Sequence, residues 1–371
     1  MELLQDVRGY QEAFGAEDIT SPKMKQAILD WFAAYYDQES CLQLPMTVVR
    51  KLTRAVLAEY APECAREPMD AVLKALPARQ AMQLALIGGE CYLKPVFGGE
   101  PQWRTVARGD ILIFARDWQG NPTDVGMTER SKVGKHHYTL LERRTVDEEG
   151  LLTIRNRLFR SGNAGTLGRE VSLREHPVYG MLPARYTYPR SVGGVGLVRV
   201  CCPTVNCVDG SQEGVSVYAA AMALMDAIEE NERQLKGEFR RGQSRLVVSR
   251  DLLDRGQLKD DLFVALDESP DTVGITVFAP ELREQSFLNR QQAYLRGMEN
   301  IIGLKRGLLS QVEAVDRTAT EITSSEGEYM TTIRELQQMW ENAAREAAAL
   351  WCRVTGEQDG QIVFNWGDGV V

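Results

Sequence analysis

Long apolar runs, evenly spaced cysteines and histidine clusters are all missing from this chain of 371 residues. No apolar run approaches the ~20 residues that a membrane-spanning helix requires, so the sequence predicts no membrane contact. The first residues lack the basic start and the apolar core of a secretory signal. The seven cysteines have no regular spacing, which predicts free thiols in a reducing cytoplasm rather than a disulfide framework.

Catalytic motifs are missing as well. The chain contains no Gly-x-x-x-x-Gly-Lys-Ser/Thr loop, no Gly-x-Ser-x-Gly elbow and no His-Glu-x-x-His helix. Two of the three histidines are adjacent and point to opposite faces of a predicted strand, whereas a metal site needs converging ligands. A group of three cysteines has no histidine or fourth thiol near it, and we interpret it as structural. The residues concerned are His136, His137, His176, Cys201, Cys202 and Cys207. We therefore predict a protein without enzymatic activity, metal or cofactor.

What is present is typical of a globular protein with two or three domains. Hydrophobic residues make up 44% of the chain and charged residues 26%. The formal net charge is −9. An acidic protein gains nothing from counterion release, so tight generic DNA binding is disfavoured, although DNA can still pass close to it.

The most informative stretch is a pair of predicted helices that flank a small insert. Apolar residues recur at helical spacing over residues 216–241, which predicts a rod of about 39 Å. A second helix is predicted from about residue 280 to 302. Between them, residues 246–248, 262–266 and 275–278 are typical of three short strands. A helical hairpin that carries a small α/β unit is suited to projecting a knob from a main body.

The remaining sequence predicts an α+β protein. Helices are expected at 24–36, 47–60, 69–76 and 81–87, and strands at 91–93, 103–106, 110–114 and 197–202. A hairpin is expected to join strands 135–144 and 151–159. A long helix and a last strand at 362–366 end the chain. The helix carries an apolar stripe, either core packing or a contact with another subunit: Tyr329, Ile333, Leu336, Trp340, Ala343, Ala347, Leu350 and Val354.

Two charged groups allow more than one interpretation. Basic residues gather at the end of the first helix of the pair, where they either complement the helix dipole or contact phosphates. A loop pair, Lys305 and Arg306, is either solvated or reaches into open space. The insert holds carboxylates that could bind Mg²⁺, although a solvated acidic surface is favoured: Asp251, Asp254, Asp260, Asp261, Asp267 and Glu268.

Five segments occur in the order found in one known family. They are Asp30-Trp31; Tyr138-Thr139-Leu140-Leu141-Glu142 with Ile154-Arg155-Asn156-Arg157-Leu158; Pro203-Thr204-Val205-Asn206, Asp209 and Gly214-Val215-Ser216-Val217-Tyr218; Ile302-Gly303-Leu304-Lys305-Arg306-Gly307; and Thr318-Ala319-Thr320-Glu321-Ile322 with Glu328-Tyr329 and Thr331-Thr332-Ile333. Together they resemble portal proteins of tailed bacteriophages, in particular the siphovirus type of Gram-positive hosts. Lys305 stands where the family has a small residue.

The resemblance implies an architecture and a division of labour. Residues 1–200 would form the wing, 201–242 the first stem helix and its entry, and 243–280 the clip. Residues 281–302 would form the second stem helix, 303–317 the tunnel loop, and 318–371 a long helix that returns to the wing. The chain ends soon after its last strand, so the resemblance implies a version without the C-terminal crown.

The resemblance also implies a function. The family forms a homo-oligomeric ring of about twelve copies at one capsid vertex, through which double-stranded DNA is packaged and ejected. Its partners are terminase, a head-completion adaptor, and the major capsid and scaffold proteins. It is located in the virion, and in the host cytoplasm during assembly. A Mg²⁺-dependent phage head nuclease and a tail or adaptor ring protein are the alternatives.

The resemblance assigns residues to two surfaces. The DNA channel would be lined by Arg233, Lys236, Arg240, Arg241, Lys305, Arg306, Gln311 and Arg317. The clip would contact partners through Arg250, Asp251, Asp254, Lys259, Asp260, Asp267 and Glu268. The family motif itself is Thr318, Ala319, Thr320 and Glu321.

Overall fold

The computed structural model describes residues 7–96, 99–242, 245–249, 263–266, 276–278, 281–311, 319–358 and 360–367. Helices and largely antiparallel sheets occupy separate stretches of the chain, which confirms the predicted α+β class. The chain divides into a larger unit, residues 1–38, 43–220 and 319–371, and a smaller unit, residues 39–42 and 221–318. None of the described helices is both long enough and apolar enough to cross a membrane.

The described helices follow the apolar periodicity of the sequence. Helix α2 shows how one begins: Ser21 accepts a hydrogen bond from the Met24 amide at 3.2 Å, and Pro22 occupies the first turn. The helices are α1 (Val7–Phe14), α2 (Pro22–Tyr36), α3 (Leu44–Val56), α4 (Glu67–Lys74), α5 (Ala78–Gly88), α6 (Met222–Arg241), α7 (Glu284–Ile302) and α8 (Ala319–Thr355).

The described strands form four sheets. They are β1 (Ala61–Cys64), β2 (Glu90–Val96), β3 (Gln102–Ala107), β4 (Ile111–Arg116), β5 (Pro122–Val133), β6 (His136–Val146), β7 (Leu152–Ser161), β8 (Arg169–Val171), β9 (Arg185–Thr187), β10 (Val198–Cys201), β11 (Arg245–Ser249), β12 (Phe263–Leu266), β13 (Thr276–Phe278) and β14 (Ile362–Asn365). The largest sheet is antiparallel, with the order β4-β5-β6-β7-β8 and with β9 also paired to β7. The predicted hairpin is confirmed, because β6 and β7 pair around the turn at Asp147.

Helix α8 supplies much of the core of the larger unit. It packs against α3, α4 and β10. Trp340 and Ile333 are 0% exposed and Leu336 is 2% exposed, so the apolar stripe is core packing within the chain. The buried face is wider than the predicted stripe, since Ala344 and Ala348 are also 0% exposed. Burial of each large side chain contributes about 1.5–3 kcal/mol.

The smaller unit is built on two antiparallel helices, α6 and α7, which contact each other. A three-stranded sheet lies between them in the sequence, with the order β12-β11-β13. Strand β12 is parallel to β11, and β13 is antiparallel to it. The three short strands predicted for the insert are therefore confirmed.

The first helix of the pair is shorter than predicted. It begins at Met222 rather than at residue 216, and its 20 residues span about 30 Å. The residues before it form a buried turn of the larger unit. There the Ser216 hydroxyl donates to the Leu86 carbonyl at 3.0 Å, and the Tyr218 hydroxyl donates to the Trp31 carbonyl at 2.9 Å. Tertiary hydrogen bonds thus replace the first turn and a half of the predicted helix.

Two other predictions need correction, and one strand was not predicted. The helix predicted at 47–60 is Leu44–Val56, and it is followed by β1, which pairs with β14. The second helix of the pair begins at Glu284 rather than near residue 280. Strand β5 was not predicted, because Pro122–Val133 is largely polar and becomes a strand through its pairing with β4 and β6.

Candidate functional site

A polar seam holds the two helices of the smaller unit together. Asn231 of α6 is 1% exposed and donates from Nδ2 to the Phe287 carbonyl at 3.1 Å. Its Oδ1 accepts from Arg290 Nε at 2.7 Å. Arg290 also donates to Gln234 at 2.7 Å, so one guanidinium joins two turns of α6. These bonds fix the register of the helix pair.

Apolar contacts and a surface ion pair complete the seam. Leu235 of α6 and Leu295, Met298 and Ile302 of α7 are buried. At the end where the insert leaves the pair, Arg283 makes two hydrogen bonds to Glu238, at 3.0 and 2.9 Å. The helix pair is therefore held by hydrogen bonds around Asn231, by one ion pair at its surface, and by buried apolar side chains along the rest of its length.

The predicted basic residues of α6 are exposed, and three of them lie on the side of the helix turned away from the seam. Arg233, Lys236 and Arg240 fall within about 60° of one another around the helix axis, whereas Arg241 lies about 20° from the seam residue Gln234. Arg233 pairs with Glu230, one turn earlier. The first half of the helix is acidic and the second half basic, an order that complements the helix dipole. The same geometry leaves a row of cations on an exposed surface.

A buried carboxylate organises the loop that follows α7. Glu299 is 0% exposed. Its Oε1 accepts from the amides of Gly307, Leu309 and Ser310 at 3.0, 2.6 and 2.9 Å, and its Oε2 accepts from the Ser310 hydroxyl at 2.8 Å. A carboxylate so enclosed by donors holds the loop backbone in one conformation.

The loop is tied to α7 at both ends. Gly303 ends the helix in the left-handed region at φ 73°, and the Leu304 amide donates to the Glu299 carbonyl at 2.8 Å. Seven residues later, the Gln311 amide donates to the Gln292 side chain at 2.7 Å. Between these ties the loop presents Lys305, which is half-buried, and Arg306, which is exposed. The loop is thus a fixed support for two cations.

Several predicted site residues lie outside the described residues. In the channel group this applies to Arg317, and in the family motif to Thr318. Ala319, Thr320 and Glu321 form the first turn of α8. The whole predicted partner surface of the insert is also outside: Arg250, Asp251, Asp254, Lys259, Asp260, Asp267 and Glu268. Their assignments stay predictions.

A cluster of buried charges in the larger unit escaped the sequence analysis. Glu90 is 0% exposed; Arg108 lies 3.1 Å from it, and Arg199 donates to it at 2.6 Å. Glu213 joins Arg108 at 2.8 Å and Arg116 at 2.6 Å. Although burial alone would raise the pKa of Glu90, the three arginines around it lower that pKa. The cluster ties β2, β4 and β10 to the loop that contains Glu213.

Among the histidines, His176 takes a structural position; in the predicted cysteine group, Cys202 is buried, Cys201 half-buried and Cys207 exposed. His176 is buried; its Nδ1 accepts from the Val178 and Tyr179 amides at 3.2 and 3.3 Å, and burial lowers its pKa. His136 and His137 follow each other at the start of β6. In the parts of the chain that the structure describes, no three His, Cys, Asp or Glu side chains are grouped to hold a metal ion.

Comparison with known proteins identifies the fold. No family model matches the chain, and no curated protein matches it. Among solved structures it resembles a chain from the neck of a native gene transfer agent (GTA) particle, a phage-like particle, computed with C12 symmetry. The TM-score is 0.56 at 12% identity, over 98% of this chain and 90% of that chain. A chain from the neck of an empty GTA particle, computed with C6 symmetry, gives a TM-score of 0.53 at 13% identity, over 97% and 88%. The likeness shows a shared fold that extends over almost the whole of both chains.

Proposed function

We propose that this chain is the subunit of a ring-shaped head-to-tail connector of a phage-like particle, namely its portal. The observation that carries the proposal is the fold likeness over 98% of this chain to a chain of a GTA neck. Those necks were computed with C12 and C6 symmetry. Such rings repeat one head-to-tail contact until it closes, so we propose about twelve copies in the ring.

The smaller unit supports the proposed division of labour. Its antiparallel helices α6 and α7 fit the stem, and the insert between them fits the clip. The Glu299-held loop fits the tunnel loop, because it combines a fixed backbone with two cations. In this proposal the insert contacts terminase and then the head-completion adaptor, and the wing contacts capsid and scaffold proteins.

Charge is consistent with DNA in transit. The chain has a net charge of −9, and duplex DNA carries about one negative charge per 1.7 Å. A mostly acidic wall does not trap the duplex. The exposed cations of α6, together with Lys305 and Arg306 of the loop, would centre it, because each contributes one weak and screened attraction. The proposed role is non-enzymatic, in the virion at one capsid vertex and in the host cytoplasm during assembly.

Images of the assembled protein test the proposal. We expect negative-stain images of the purified chain, mixed with scaffold and capsid protein, to show rings with a central hole. The same mixture with the chain remaining monomeric at micromolar concentration would contradict the proposal.

Charge reversal on the loop tests the passage of DNA. Lys305→Glu with Arg306→Glu should leave ring assembly intact and shorten or destabilise the packaged DNA. The matched control is Lys51→Glu with Arg54→Glu on α3, which should change neither property. Unaltered packaged DNA length in the loop variant would show that these side chains do not face the channel.

A cleavage assay tests the absence of enzymatic activity. Linear DNA incubated with Mg²⁺ and the wild-type chain should remain intact. If it is cut, and if Asp260→Ala or Asp267→Ala abolishes the cutting, the chain is a nuclease that uses its acidic insert.

A further inference from the structure

The larger unit exposes an apolar knob at one edge of its largest sheet. Trp118, in the turn between β4 and β5, is 89% exposed, and Val205, in the loop after β10, is 90% exposed. Water contact with an indole is unfavourable, and exposed tryptophans are enriched among the residues that dominate protein interfaces. We call these two loops, residues 117–124 and 203–214, the Trp118 knob.

The knob is rigid. Asp117 Oδ1 accepts from the amides of Gln119 and Asn121 at 2.9 and 2.8 Å, which closes the turn. Arg116 joins the two loops, because it donates to the Gly120 carbonyl at 2.7 Å and to Glu213 at 2.6 Å. Glu213 belongs in turn to the buried charge cluster. An exposed side chain on a backbone held in this way loses little further entropy on binding.

The second loop of the knob is equally well fixed. Asn206 Oδ1 accepts from the amides of Val208 and Asp209 at 2.8 and 3.1 Å. Its Nδ2 donates to Asp209 Oδ1 at 3.0 Å, and Ser21 at the start of α2 also bonds Asp209. The knob contains four carboxylates and no lysine or arginine. Glu213 is buried against Arg108 and Arg116, and Asp124 pairs with Arg143. Asp117 and Asp209 therefore give the surface its negative charge.

The opposite edge of the same sheet is basic. Residues 151–190 contain seven arginines and two glutamates, and no lysine or aspartate, in a chain whose net charge is −9. Two of the seven pair with those glutamates, Arg157 with Glu170 and Arg160 with Glu175. The others are exposed and form no ion pair with any residue that the structure describes: Arg155, Arg169, Arg174, Arg185 and Arg190.

One pair of these arginines is unfavourable in the isolated chain. Arg155 of β7 and Arg185 of β9 are directly opposite each other in the antiparallel register. Like charges in that position repel, and an anionic group from outside would relieve the repulsion. All three residues of β9 are exposed, and it forms an edge of the sheet.

A cavity of about 390 Å³ opens beside the basic edge and is large enough for one indole ring. Leu182, Tyr186 and Tyr188 line its apolar part, and Lys94, Glu142 and Arg144 are among its charged lining residues. Met181, in the segment that leads to β9, is 92% exposed. His176 fixes the start of this segment, because its Nδ1 accepts hydrogen bonds from two backbone amides of the segment. We call residues 174–190 with β7 the basic edge.

We propose that the Trp118 knob of one copy of this chain docks on the basic edge of a second copy. The two surfaces are complementary in charge, each carries exposed apolar side chains, and they lie at opposite edges of one sheet. A head-to-tail contact of this kind generates a ring when the rotation between neighbouring copies closes, whereas a knob that met another knob would join like charges. The inference rests on the proposed function, for which it names the contact between neighbouring subunits.

Site-specific photo-crosslinking tests the contact. Benzoylphenylalanine replaces Trp118, and equal amounts of this variant and of ¹⁵N-labelled wild-type chain are assembled and irradiated. Trypsin cuts after each arginine of the basic edge, so we expect the crosslink on a ¹⁵N-labelled peptide from β7 or from residues 175–190. A crosslink to the loops 117–124 or 203–214 of the other copy, or to any third region, overturns the inference.

Substitutions provide a second test. Trp118→Ala and Arg185→Glu should each weaken assembly by about tenfold or more in protein concentration, which corresponds to about 1.4 kcal/mol. Trp118→Phe should weaken it less. The controls are Val133→Ala, at the exposed tip of another hairpin, and Arg54→Glu on α3, and both should assemble as the wild type does. Circular dichroism of each variant excludes loss of the fold as the cause.

The outcomes separate this inference from the proposed function. If the Trp118→Ala and Arg185→Glu variants form rings at the same protein concentration as the wild type, the contact is overturned and the portal proposal stays intact. A second outcome is that Arg185→Glu leaves assembly unchanged but lowers duplex DNA binding by the unassembled chain. That result would identify the basic edge as a nucleic-acid surface and would also overturn the contact. A wild-type chain that never forms rings refutes both.

Discussion

Helices α8 and α6 are both amphipathic, yet different interactions hold them. At the centre of α8, Trp340, Ala344 and Ala347 are 0% exposed and surrounded by apolar groups. At the centre of α6, Asn231 is 1% exposed and takes part in hydrogen bonds to α7. Apolar burial stabilises a contact over a range of geometries, whereas a polar seam contributes only when each donor meets its acceptor. The larger unit therefore gains mainly stability from its helix, and the smaller unit gains a defined register.

The largest expected effect comes from removal of a buried apolar side chain of α8. Trp340→Ala should lower the free energy of unfolding of the larger unit by about 3–5 kcal/mol, because it leaves a cavity among buried side chains. Urea denaturation followed by far-UV circular dichroism measures the change. Trp118→Ala, which removes an 89% exposed indole, is the matched control and should change stability little. Equal effects of the two variants would contradict the core assignment of α8.

A buried carboxylate of the larger unit gives a smaller effect with a characteristic pH dependence. Burial alone would raise the pKa of Glu142, but Arg144 and Lys94 lower it from 4.5 to about 2. The stabilisation is therefore complete above pH 4.5 and is lost as the pH falls towards 2. Glu142→Gln should cost about 3 kcal/mol at pH 7 and flatten the stability profile between pH 4.5 and 2. Denaturation at several pH values measures it, with Glu170→Gln as the exposed control; an unchanged slope would refute the assignment.

Loss of a hydrogen-bonding side chain from the polar seam should lower stability less, and the loss should be confined to the smaller unit. Asn231→Ala removes one donor and one acceptor and leaves Arg290 without one of its partners on α6. We expect a loss of about 1–3 kcal/mol. Amide hydrogen exchange of α6 and α7 measures this loss without interference from the larger unit. Asn342→Ala, at an exposed position of α8, should be neutral; a seam variant as stable as this control would mean that the register is set by apolar contacts alone.

The loop after α7 should open locally when its clamp is weakened. Glu299→Gln keeps one carbonyl acceptor and loses the other, so the amides of Gly307, Leu309 and Ser310 should exchange faster, by about tenfold for each 1.4 kcal/mol of lost protection. Tryptic cleavage after Lys305 and Arg306 should accelerate in parallel. Glu284→Gln, at the exposed start of α7, is the control. Unchanged exchange would show that the loop holds its conformation without Glu299.

The smallest effect on stability is expected for the exposed basic row of α6. Arg233→Ala, Lys236→Ala and Arg240→Ala should each change the free energy of unfolding by no more than about 0.5 kcal/mol. In the proposed portal, the triple variant should nevertheless alter retention of packaged DNA. A destabilisation above about 1.5 kcal/mol would instead assign these residues to the fold.

Local periodicity explains what the sequence could predict. Helix α8, the three strands of the insert and the β6–β7 hairpin each have apolar spacing that can be recognised within one short segment. Strand β5 has no such pattern, because its strand conformation depends on hydrogen bonds to β4 and β6. The start of α6 was misplaced for the same reason, since the Ser216 and Leu86 atoms that meet there are 130 positions apart.

The site was harder to predict than the fold, because its key polar residues have no local signature. Glu299 stands between Met298 and Asn300 in an ordinary amphipathic helix, and its four donors come from a loop up to 11 positions later. Asn231 bonds to Arg290, which is 59 positions away. The charge cluster joins Glu90 to Arg199 across 109 positions. The exposed cations of α6 and the loop were found because a run of basic residues is visible in one segment.

The placement of the thiols makes the wild-type chain a ready reporter of its own assembly. Burial raises the pKa of Cys91 and of Cys202, which suppresses the reactive thiolate in the core of the larger unit. Cys207 is exposed on the same loop as Val205, and Cys41 is exposed in the smaller unit. A fluorescent maleimide would therefore attach first at these two surface positions. Slower labelling of Cys207 as subunits associate would record, without any substitution, the moment at which that loop becomes covered.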